Sequence, residues 1–286
     1  MGKQLKMLMR SPWFVMGVSV FVFLVLTGIF YPIFTGSDPV AQVAGPSEAP
    51  SLQHWLGTNS EGQDMFVRLI FGLRSSLYVG VLAGLMATIF GTLLGVVGGY
   101  KGGIVDNALT MVTNLFLVVP AILVLIIISN SVTNRSMLLV SVIIAATAWP
   151  WTARAVSAQT SSLRNREHVE LAKLNGYGTI SILLKQILPY IMSYVFMVFI
   201  IQMATGIMEE ASISMMGLGP YDSVTLGLII DNSQKSEALV NDNWWVFMPA
   251  TIMITLLQFS LYIVNTAMEG VFNPRLRTED ENSDEE

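Results

Sequence analysis

The stretch RNREHVELAKLNGYGTISILLKQILPY, residues 164–190, decides how the chain is organised, because it is a charged, amphipathic interruption between two long apolar runs. Asn165 can cap a short helix here, and Gly176 can end it, since glycine adopts the left-handed conformation at a helix C-terminus at little cost. A second helix follows, and Pro189 marks its junction with the next apolar run. The pattern predicts either a rigid surface on which a partner protein pushes or a solvated loop between two membrane helices.

The composition indicates a membrane protein. Of 286 residues, 53% are hydrophobic and 12% are charged, and the mean hydropathy is +0.60. A soluble domain has about 25% charged residues, so this chain has too little polar surface for an entirely aqueous exterior. The absence of cysteine excludes disulfides and cysteine-based metal sites. Six of the acidic residues lie in the last eight positions, so the rest of the chain is nearly neutral and offers no basic surface for nucleic acid.

Six apolar runs predict an all-α membrane protein with six transmembrane helices. A signal peptide is the alternative for the first run, but its length of about 20 residues and the lack of a small-residue cleavage pattern favour a retained span. The predicted organisation is a cytoplasmic N-terminus (1–12), a first span (13–34), an extracytoplasmic loop (35–76), a core of five spans (77–270) and a cytoplasmic acidic tail (271–286). The core includes a cytoplasmic loop at 160–187 and an extracytoplasmic loop at 209–243.

The distribution of lysine and arginine predicts the orientation. If the N-terminus is cytoplasmic, 11 of the 15 basic residues lie on the cytoplasmic side, as the positive-inside rule requires. The four on the other side are Arg68, Arg74, Arg135 and Lys235. Both termini are therefore expected in the cytoplasm.

Local patterns predict how some of these segments are shaped. Residues 64–76 place Met65, Leu69 and Leu73 on one face, which is typical of a short amphipathic helix at the membrane surface, or alternatively of an ordinary turn before a span. Pro120 lies inside the third apolar run and is expected to kink it. The second run has small residues at spacings that share one face, which predicts close helix packing: Gly84, Gly91, Gly95 and Gly99.

The interiors of the predicted spans are almost free of charge. This argues against a carrier driven by protons or sodium and against an ion channel. The sequence also has no G-x-x-x-x-G-K-[ST] nucleotide-binding motif, so the chain is not expected to be an enzyme, and the energy for transport is expected to come from a partner. The mid-span residues Gln202 and Gln258 either hydrogen-bond between helices or line a solute path, and Met203 is a further candidate for that path. Glu209 and Glu210 are expected to be interfacial acids.

The opening stretch carries a recognisable motif. The sequence E-L-A-x-x-x-G, from Glu170 to Gly176, is followed by Leu188 and Pro189 twelve and thirteen residues after the glycine. It resembles the EAA loop of the membrane subunits of ATP-binding cassette (ABC) importers, although Leu171 replaces an alanine and Gln186 an isoleucine. In that family the loop forms a coupling helix that docks on the ATP-binding subunit. The resemblance assigns this docking to Glu170, Ala172, Lys173, Gly176, Leu188 and Pro189.

Two of these residues have an expected role in the contact. A small side chain at Ala172 is expected to let one face of the helix enter a groove of the ATPase. Glu170 is expected to cap backbone groups or to pair with a basic residue there.

A second element narrows the resemblance. The segment LGTNSEGQDMFVRLIFGLRSSLYVG, residues 56–80, is similar to an outer-loop element of the C-type permease of oligopeptide, dipeptide and nickel importers. The segments EEASISMMGLGP (209–220) and FNPRLR (272–277) resemble two further elements of that subfamily. Asn114 and Ser157 depart from it, since Asp and Arg are expected there. The outer-loop matches include Gly57, Thr58, Gly62, Asp64, Arg68, Gly72 and Arg74.

The resemblance implies a type I ABC importer permease fold and a heteromeric complex in the cytoplasmic membrane of a bacterium or archaeon. The implied partners are a second, homologous permease subunit, two ATP-binding subunits and an extracytoplasmic solute-binding protein. ATP and magnesium would be bound by the ATPase subunits, and this chain would hold no cofactor and no metal.

The resemblance favours oligopeptides or dipeptides as the solute. Alternatives within the same family are nickel and oligosaccharides. The 17 methionines are better explained as adaptable apolar packing than as a metal path. A self-sufficient secondary transporter and a membrane scaffold that transports nothing are the alternatives from other classes.

Overall fold

The computed structural model describes residues 7–272, and within this range the regular structure is helical. The helices are α1 (Pro12–Thr35), α2 (Met65–Lys101), α3 (Gly103–Val118), α4 (Ala121–Ser131), α5 (Met137–Leu163), α6 (Glu167–Leu174), α7 (Thr179–Ile182), α8 (Leu188–Ser214), α9 (Leu226–Lys235) and α10 (Trp244–Phe272). A π-helical turn, Leu183–Ile187, joins α7 to α8. The predicted N-terminal segment 1–12 is described only from residue 7. The acidic tail predicted at 271–286 lies outside the described residues from 273 onwards.

Five helical stretches are long and apolar enough to cross a membrane: Pro12–Thr35, Met65–Lys101, Met137–Leu163, Thr179–Ser214 and Trp244–Phe272. The pair α3 and α4 makes a sixth span if its two halves are counted together. The prediction of an all-α, multi-pass membrane protein is confirmed.

The third apolar run is broken rather than merely kinked. The axes of α3 and α4 differ by 77°, and the break falls at Val119 and Pro120, neither of which has a helical backbone conformation. Proline disfavours the helical conformation of the residue before it, which explains why α3 ends at Val118. Pro120 itself is exposed on the surface of this chain.

Helix α2 is the central element of the bundle, because it packs against both α5 and α8. The glycines predicted to form a close-packing face lie at these contacts. A Cβ atom added to Gly91 or Gly95 would lie 2.5 Å from atoms of α5, and one added to Gly84 would lie 2.7 Å from the backbone nitrogen of Met203 in α8. Side chains larger than hydrogen at these positions would push the helices apart.

The structure corrects the prediction of a separate amphipathic helix at residues 64–76. This segment forms the first turns of α2, which continues without a break to Lys101. Met65, Leu69 and Leu73 are buried, and they pack in a cluster with residues of α9 and α10 rather than lying on a membrane surface.

The predicted extracytoplasmic loop at 209–243 is also more structured than expected. Helix α8 runs on through Glu209 and Glu210 to Ser214, and the loop contains the ten-residue helix α9. Thr225 caps α9 by accepting a hydrogen bond from the backbone N–H of Leu228 at 3.2 Å. Two apolar side chains of α9, Leu226 and Ile229, are fully buried, so this polar-looking segment is part of the packed body.

Candidate functional site

The EAA-like motif forms a short helix, α6, between two membrane-spanning helices. The prediction that Asn165 caps it is wrong, because α6 begins one residue later with Arg166 as its N-cap and no side chain completes the cap. The end of α5 is followed at once by a tight turn, in which the N–H of Arg166 donates to the carbonyl of Leu163 at 3.0 Å. This turn moves the start of α6 by one position.

Gly176 ends α6 in the predicted way. Its φ angle is +77°, and no atom lies within 4 Å of the place where a Cβ would be. Its N–H donates to the carbonyl of Lys173 at 3.0 Å, and the N–H of Tyr177 donates to the carbonyl of Ala172 at 3.1 Å. These two bonds define a Schellman motif, which requires a residue in the left-handed conformation. Gly178 then precedes α7 with an ordinary φ of −68°.

One face of α6 packs against the chain itself. Val169 and Ala172 are buried in a cluster with Ile182, Ile187 and residues of α2, α5 and α8. The expectation that Ala172 enters a groove of a partner is therefore wrong, because only 4% of this residue is exposed. Its small side chain lets α6 lie close to its own membrane helices.

The opposite side of α6 and α7 is an exposed apolar surface, which we call the coupling crest. It consists of Leu171, Leu174, Tyr177, Ile180 and Leu184, with exposed fractions of 58%, 84%, 49%, 74% and 57%. The sequence motif does not identify these residues, although Leu171 departs from the family pattern. Leu171, Leu174 and Tyr177 lie before the candidate span Thr179–Ser214, and Ile180 and Leu184 lie in its first turns. Exposed apolar side chains outside a span are typical of a protein–protein contact.

Two charged residues of the motif lie beside the coupling crest. Glu170 is exposed. Lys173 is also exposed, and its Nζ donates to the carbonyl of Arg164 at 3.3 Å and lies 5.6 Å from the ring centre of Tyr100. Glu170 therefore leaves its carboxylate open to a partner, whereas Lys173 has contacts within the chain.

The crest is continuous with a membrane helix. The π-helical turn leads directly into α8, and Leu188 and Pro189 lie in the first turn of that helix. Pro189 does not end the helix here, because the backbone continues from the π-helical turn into α8 and the N–H of Leu188 donates to the carbonyl of Leu183. His168 of α6 stacks on Tyr190 of α8 with ring centres 4.4 Å apart, which adds a direct contact between the two helices.

The outer-loop element builds a compact structure at the other end of the molecule, which we call the outer cap (residues 38–64). Gly57 and Gly62 have φ angles of +63° and +72°, so both turns use conformations that favour glycine. Thr58 is fully buried; its hydroxyl donates to the carbonyl of Gly45 at 2.7 Å and accepts from the N–H of Glu48 at 2.9 Å. The cap is therefore held by internal hydrogen bonds.

Asp64 and Arg68 join the outer cap to α2. The Asp64 carboxylate accepts hydrogen bonds from the N–H groups of Phe66 and Val67 at 2.8 and 3.0 Å, and it lies 2.7 Å from Nδ1 of His54. The guanidinium of Arg68 is buried and donates to the side-chain oxygen of Gln63.

The remaining two residues of this motif have different surroundings. A Cβ on Gly72 would lie 3.1 Å from Ile229 of α9, so this glycine allows α9 to approach α2. Arg74 is exposed. Of these two residues, only Gly72 is buried.

The segment EEASISMMGLGP carries a second buried polar network, centred on Glu210. One carboxylate oxygen accepts from Ser214 at 2.6 Å and the other accepts from Ser76 of α2 at 2.9 Å. Beyond α8, the buried Arg135 holds the Gly-rich end of the segment, since its guanidinium donates to the carbonyl of Gly219 at 3.2 Å and to the hydroxyl of Tyr221. Glu210 is thus a buried packing residue rather than the interfacial acid that was expected.

Of the three residues predicted to line a solute path, Gln202 and Met203 lie in the packed interior. Gln202 donates to the carbonyl of Ala148 at 3.0 Å and to the hydroxyl of Thr152 at 2.6 Å, so it joins α8 to α5. Met203 is 4% exposed and lies against Gly84. These contacts favour the interhelical alternative for Gln202, and a pore role for either residue stays a prediction.

Gln258 has a different environment. Its amide donates to the carbonyl of Ala204 at 2.9 Å and it also lines a cavity of about 540 Å³ between α8 and α10. Glu209 lines the same cavity. It precedes Glu210 in the sequence but lies on another side of α8. A solute path along this cavity stays a prediction.

The two departures at Asn114 and Ser157 have partners on neighbouring helices. Arg154 donates to the side-chain oxygen of Asn114 at 3.2 Å, and the hydroxyl of Ser157 donates to Asp106 at 2.8 Å. Helices α3 and α5 are therefore joined by two hydrogen bonds, each between a neutral side chain and a charged one.

Comparison with known proteins identifies the family. Residues 87–278, more than half of the chain, match the family described as "Binding-protein-dependent transport system inner membrane component". The chain belongs to this family. It is therefore the permease subunit of an ABC importer, and such a subunit is a transport component rather than an enzyme.

Individual relatives have peptide transport in their names. The oligopeptide transport system permease protein OppC of Bacillus subtilis is 29% identical over 91% of this chain and 85% of its own length. The dipeptide transport system permease protein DppC of the same organism is 27% identical over 91% of this chain and 81% of its own. OppC of Mycobacterium bovis is 32% identical over 73% of this chain and 72% of its own.

Proposed function

We propose that this permease forms half of the translocation pore of an ABC importer for oligopeptides or dipeptides. The observation that carries the proposal is the coupling crest, an exposed apolar surface that continues directly into a membrane helix. The named activities of the relatives support peptides as the solute. A chain whose spans hold no accessible charge pair has no evident way to power uptake alone, so an external motor fits it best.

The proposed mechanism is mechanical. The two ATP-binding subunits close on ATP and carry the coupling crest with them. Because α6 is joined to α8 through the π-helical turn and the His168–Tyr190 stack, a displacement of the crest moves the base of α8. Hydrolysis of ATP then releases the motor and resets the pore.

The proposed assembly contains a second, homologous permease, two ATP-binding subunits and an extracytoplasmic solute-binding protein. Both termini and the coupling crest lie in the cytoplasm, while the outer cap faces the solute-binding protein. ATP and magnesium are held by the ATP-binding subunits, and this chain binds neither nucleotide nor metal.

The proposal is tested with the co-purified complex in proteoliposomes, where we expect ATP-dependent uptake of labelled di- and oligopeptides. Gly176→Pro is expected to abolish coupled uptake, because proline cannot adopt a φ of +77° and lacks the N–H that donates to Lys173. Glu170→Lys is expected to uncouple ATP hydrolysis from uptake or to loosen the ATPase subunits, because it reverses the charge beside the crest.

Glu167→Lys is a matched control for Glu170→Lys, since Glu167 is also an exposed acid of α6 but lies at its first residue, outside the motif. Full coupled uptake by both Gly176→Pro and Glu170→Lys would contradict the docking role. Absence of ATP-dependent uptake of any peptide by the unmodified complex would contradict the solute.

A further inference from the structure

Two consecutive glutamates near the end of α8 have opposite environments. Glu210 is fully buried, and both of its carboxylate oxygens accept hydrogen bonds from serine hydroxyls. Glu209 forms no ion pair with the residues the structure describes, and its Oε2 is buried without a hydrogen-bond partner there. A buried, unpartnered carboxylate oxygen is costly, so Glu209 needs an explanation that Glu210 does not.

The carboxylate of Glu209 lies on the wall of the cavity between α8 and α10. This cavity has a volume of about 540 Å³, which is within the usual range for sites that hold small molecules. Its walls are mostly apolar, and no lysine, arginine or histidine among the described residues lines it. The missing partner of Glu209 is therefore not supplied by a basic side chain of the cavity.

The other polar groups of the cavity are uncharged. Thr205 lies one helical turn before Glu209 on the same face of α8, and Gln258 and Asn265 contribute amides from α10. The Oδ1 atom of Asn265 is also buried without a partner among the described residues. Amides and hydroxyls of this kind can bind the N–H and C=O groups of a peptide backbone, while the carboxylate adds one negative charge.

We propose that this cavity binds a primary ammonium group of the transported solute, with Glu209 as its counter-ion. An ammonium group brings a positive charge and three N–H donors, which match an unpartnered carboxylate in an apolar wall. The inference rests on the proposed function, because a peptide carries such a group at its N-terminus. In the proposed orientation Glu209 is nearer the extracytoplasmic end than Gln258, so the ammonium group is held where the solute enters.

The test uses the absence of cysteine from the chain. A Thr205→Cys variant, in the assembled complex in proteoliposomes, is labelled with a cationic and with an anionic methanethiosulfonate reagent of similar size. The ratio of the two rates is then compared with and without Glu209→Gln. We expect Glu209→Gln to lower the preference for the cationic reagent by about tenfold, because it removes the only charged side chain among the described residues that line this mostly apolar cavity.

The matched control is Glu237→Gln in the same Thr205→Cys background, since Glu237 is an exposed acid outside this cavity. We expect it to leave the ratio of rates unchanged. An unchanged ratio in Glu209→Gln, or a Thr205→Cys thiol that neither reagent reaches, overturns the proposal.

Uptake of a peptide and of its N-acetylated form supplies a second readout. We expect Glu209→Gln to slow the free-amine peptide several-fold more than the acetylated one. If the unmodified complex takes up neither peptide, the proposed solute class is wrong, and the labelling ratio still decides whether the cavity prefers an ammonium group.

Discussion

The outer cap and the coupling crest both include residues of family motifs, yet polar side chains of the first are buried and the apolar side chains of the second are exposed. In the outer motif, Thr58 of the outer cap and Arg68 at the start of α2 are buried and hydrogen-bonded within the chain. In the coupling element, Leu174 and Ile180 are left exposed at 84% and 74%, and few side-chain hydrogen bonds hold the helix. The outer motif therefore stabilises this chain by itself, whereas the inner motif leaves apolar side chains exposed, on which we propose that the ATP-binding subunit docks.

The largest expected effect tests whether the exposed coupling crest binds the ATP-binding subunit. Leu171→Asp together with Leu174→Asp is expected to weaken association with the ATP-binding subunit by about 100-fold or more, because burying each leucine contributes about 1.5–3 kcal/mol. The thermal unfolding midpoint of the solubilised chain is expected to stay nearly unchanged, since both side chains are already exposed. Co-purification of the ATPase and the unfolding midpoint are the two measurements.

The matched control for these changes is Val169→Asp on the buried face of the same helix. It is expected to lower the unfolding midpoint strongly, because it places a charge in the packed cluster. If the two exposed leucines tolerate aspartate with full ATPase binding, the crest is not the docking surface.

The next effect concerns the outer cap. Arg68→Ala is expected to destabilise the chain by about 1–3 kcal/mol, because it removes the charged one of the two donors to the buried side-chain oxygen of Gln63 and leaves only the amide of Asn59. Arg74→Ala changes the same residue type in the same motif at an exposed position, and its effect is expected to be within about 0.5 kcal/mol. Thermal unfolding of the two variants compares them directly, and equal destabilisation would show that the cap is not held by its internal hydrogen bonds.

A smaller effect is expected at the end of α6. Gly176→Ser forces a side chain into a φ of +77° and is expected to cost about 1–2 kcal/mol of local stability. Gly178→Ser is the matched control, because Gly178 has a φ of −68° and serine is a favoured N-cap. Hydrogen exchange of the α6 amides should rise in the first variant only. A rise in both would mean that the Schellman motif does not set the stability of the coupling element.

The smallest expected effect concerns two glutamines in the membrane core between the two regions. It distinguishes a residue that only packs helices together from one that also contacts the solute. Gln202→Leu is expected to lower stability by about 0.5–1.5 kcal/mol through its lost bonds to α5, with little change in which peptides are taken up. Gln258→Leu removes a similar interhelical bond but also alters a cavity wall, so it is expected to raise the KM for peptide uptake. A change of peptide selectivity in Gln202→Leu would place Gln202 in the solute path instead.

Much of the fold could be predicted because membrane spans have a strong signal in the sequence. A run of apolar residues indicates a span without any knowledge of its neighbours, and the glycine spacing of α2 correctly indicated close packing. The segments at 64–76 and 209–243 were misjudged because charged and polar residues interrupt their apolar ones. Several of these apolar residues are buried by contacts with distant helices, as for Leu73 and Ile229.

The candidate site was predicted in position but not in detail. The motif predicted the position of α6 and that Gly176 ends this helix. It placed Ala172 on the exposed face of α6, whereas this residue lies on the buried face. In an eight-residue helix between two apolar runs, periodicity does not tell which face turns towards the membrane helices. The coupling crest was missed for the same reason, and the cavity beside Glu209 depends on the packing of α8 against α10, which no local pattern encodes.

The central claim is that the coupling crest is the surface on which the ATP-binding subunit pushes. Its most direct test is site-specific photo-crosslinking in the assembled complex, with a benzophenone attached to a Leu174→Cys thiol, because the chain has no other cysteine. A Leu52→Cys variant is the control, since Leu52 is 98% exposed in the outer cap. The account predicts an adduct with the ATP-binding subunit at position 174 and none at position 52. An adduct that is absent at 174, or equally abundant at both positions, would contradict it.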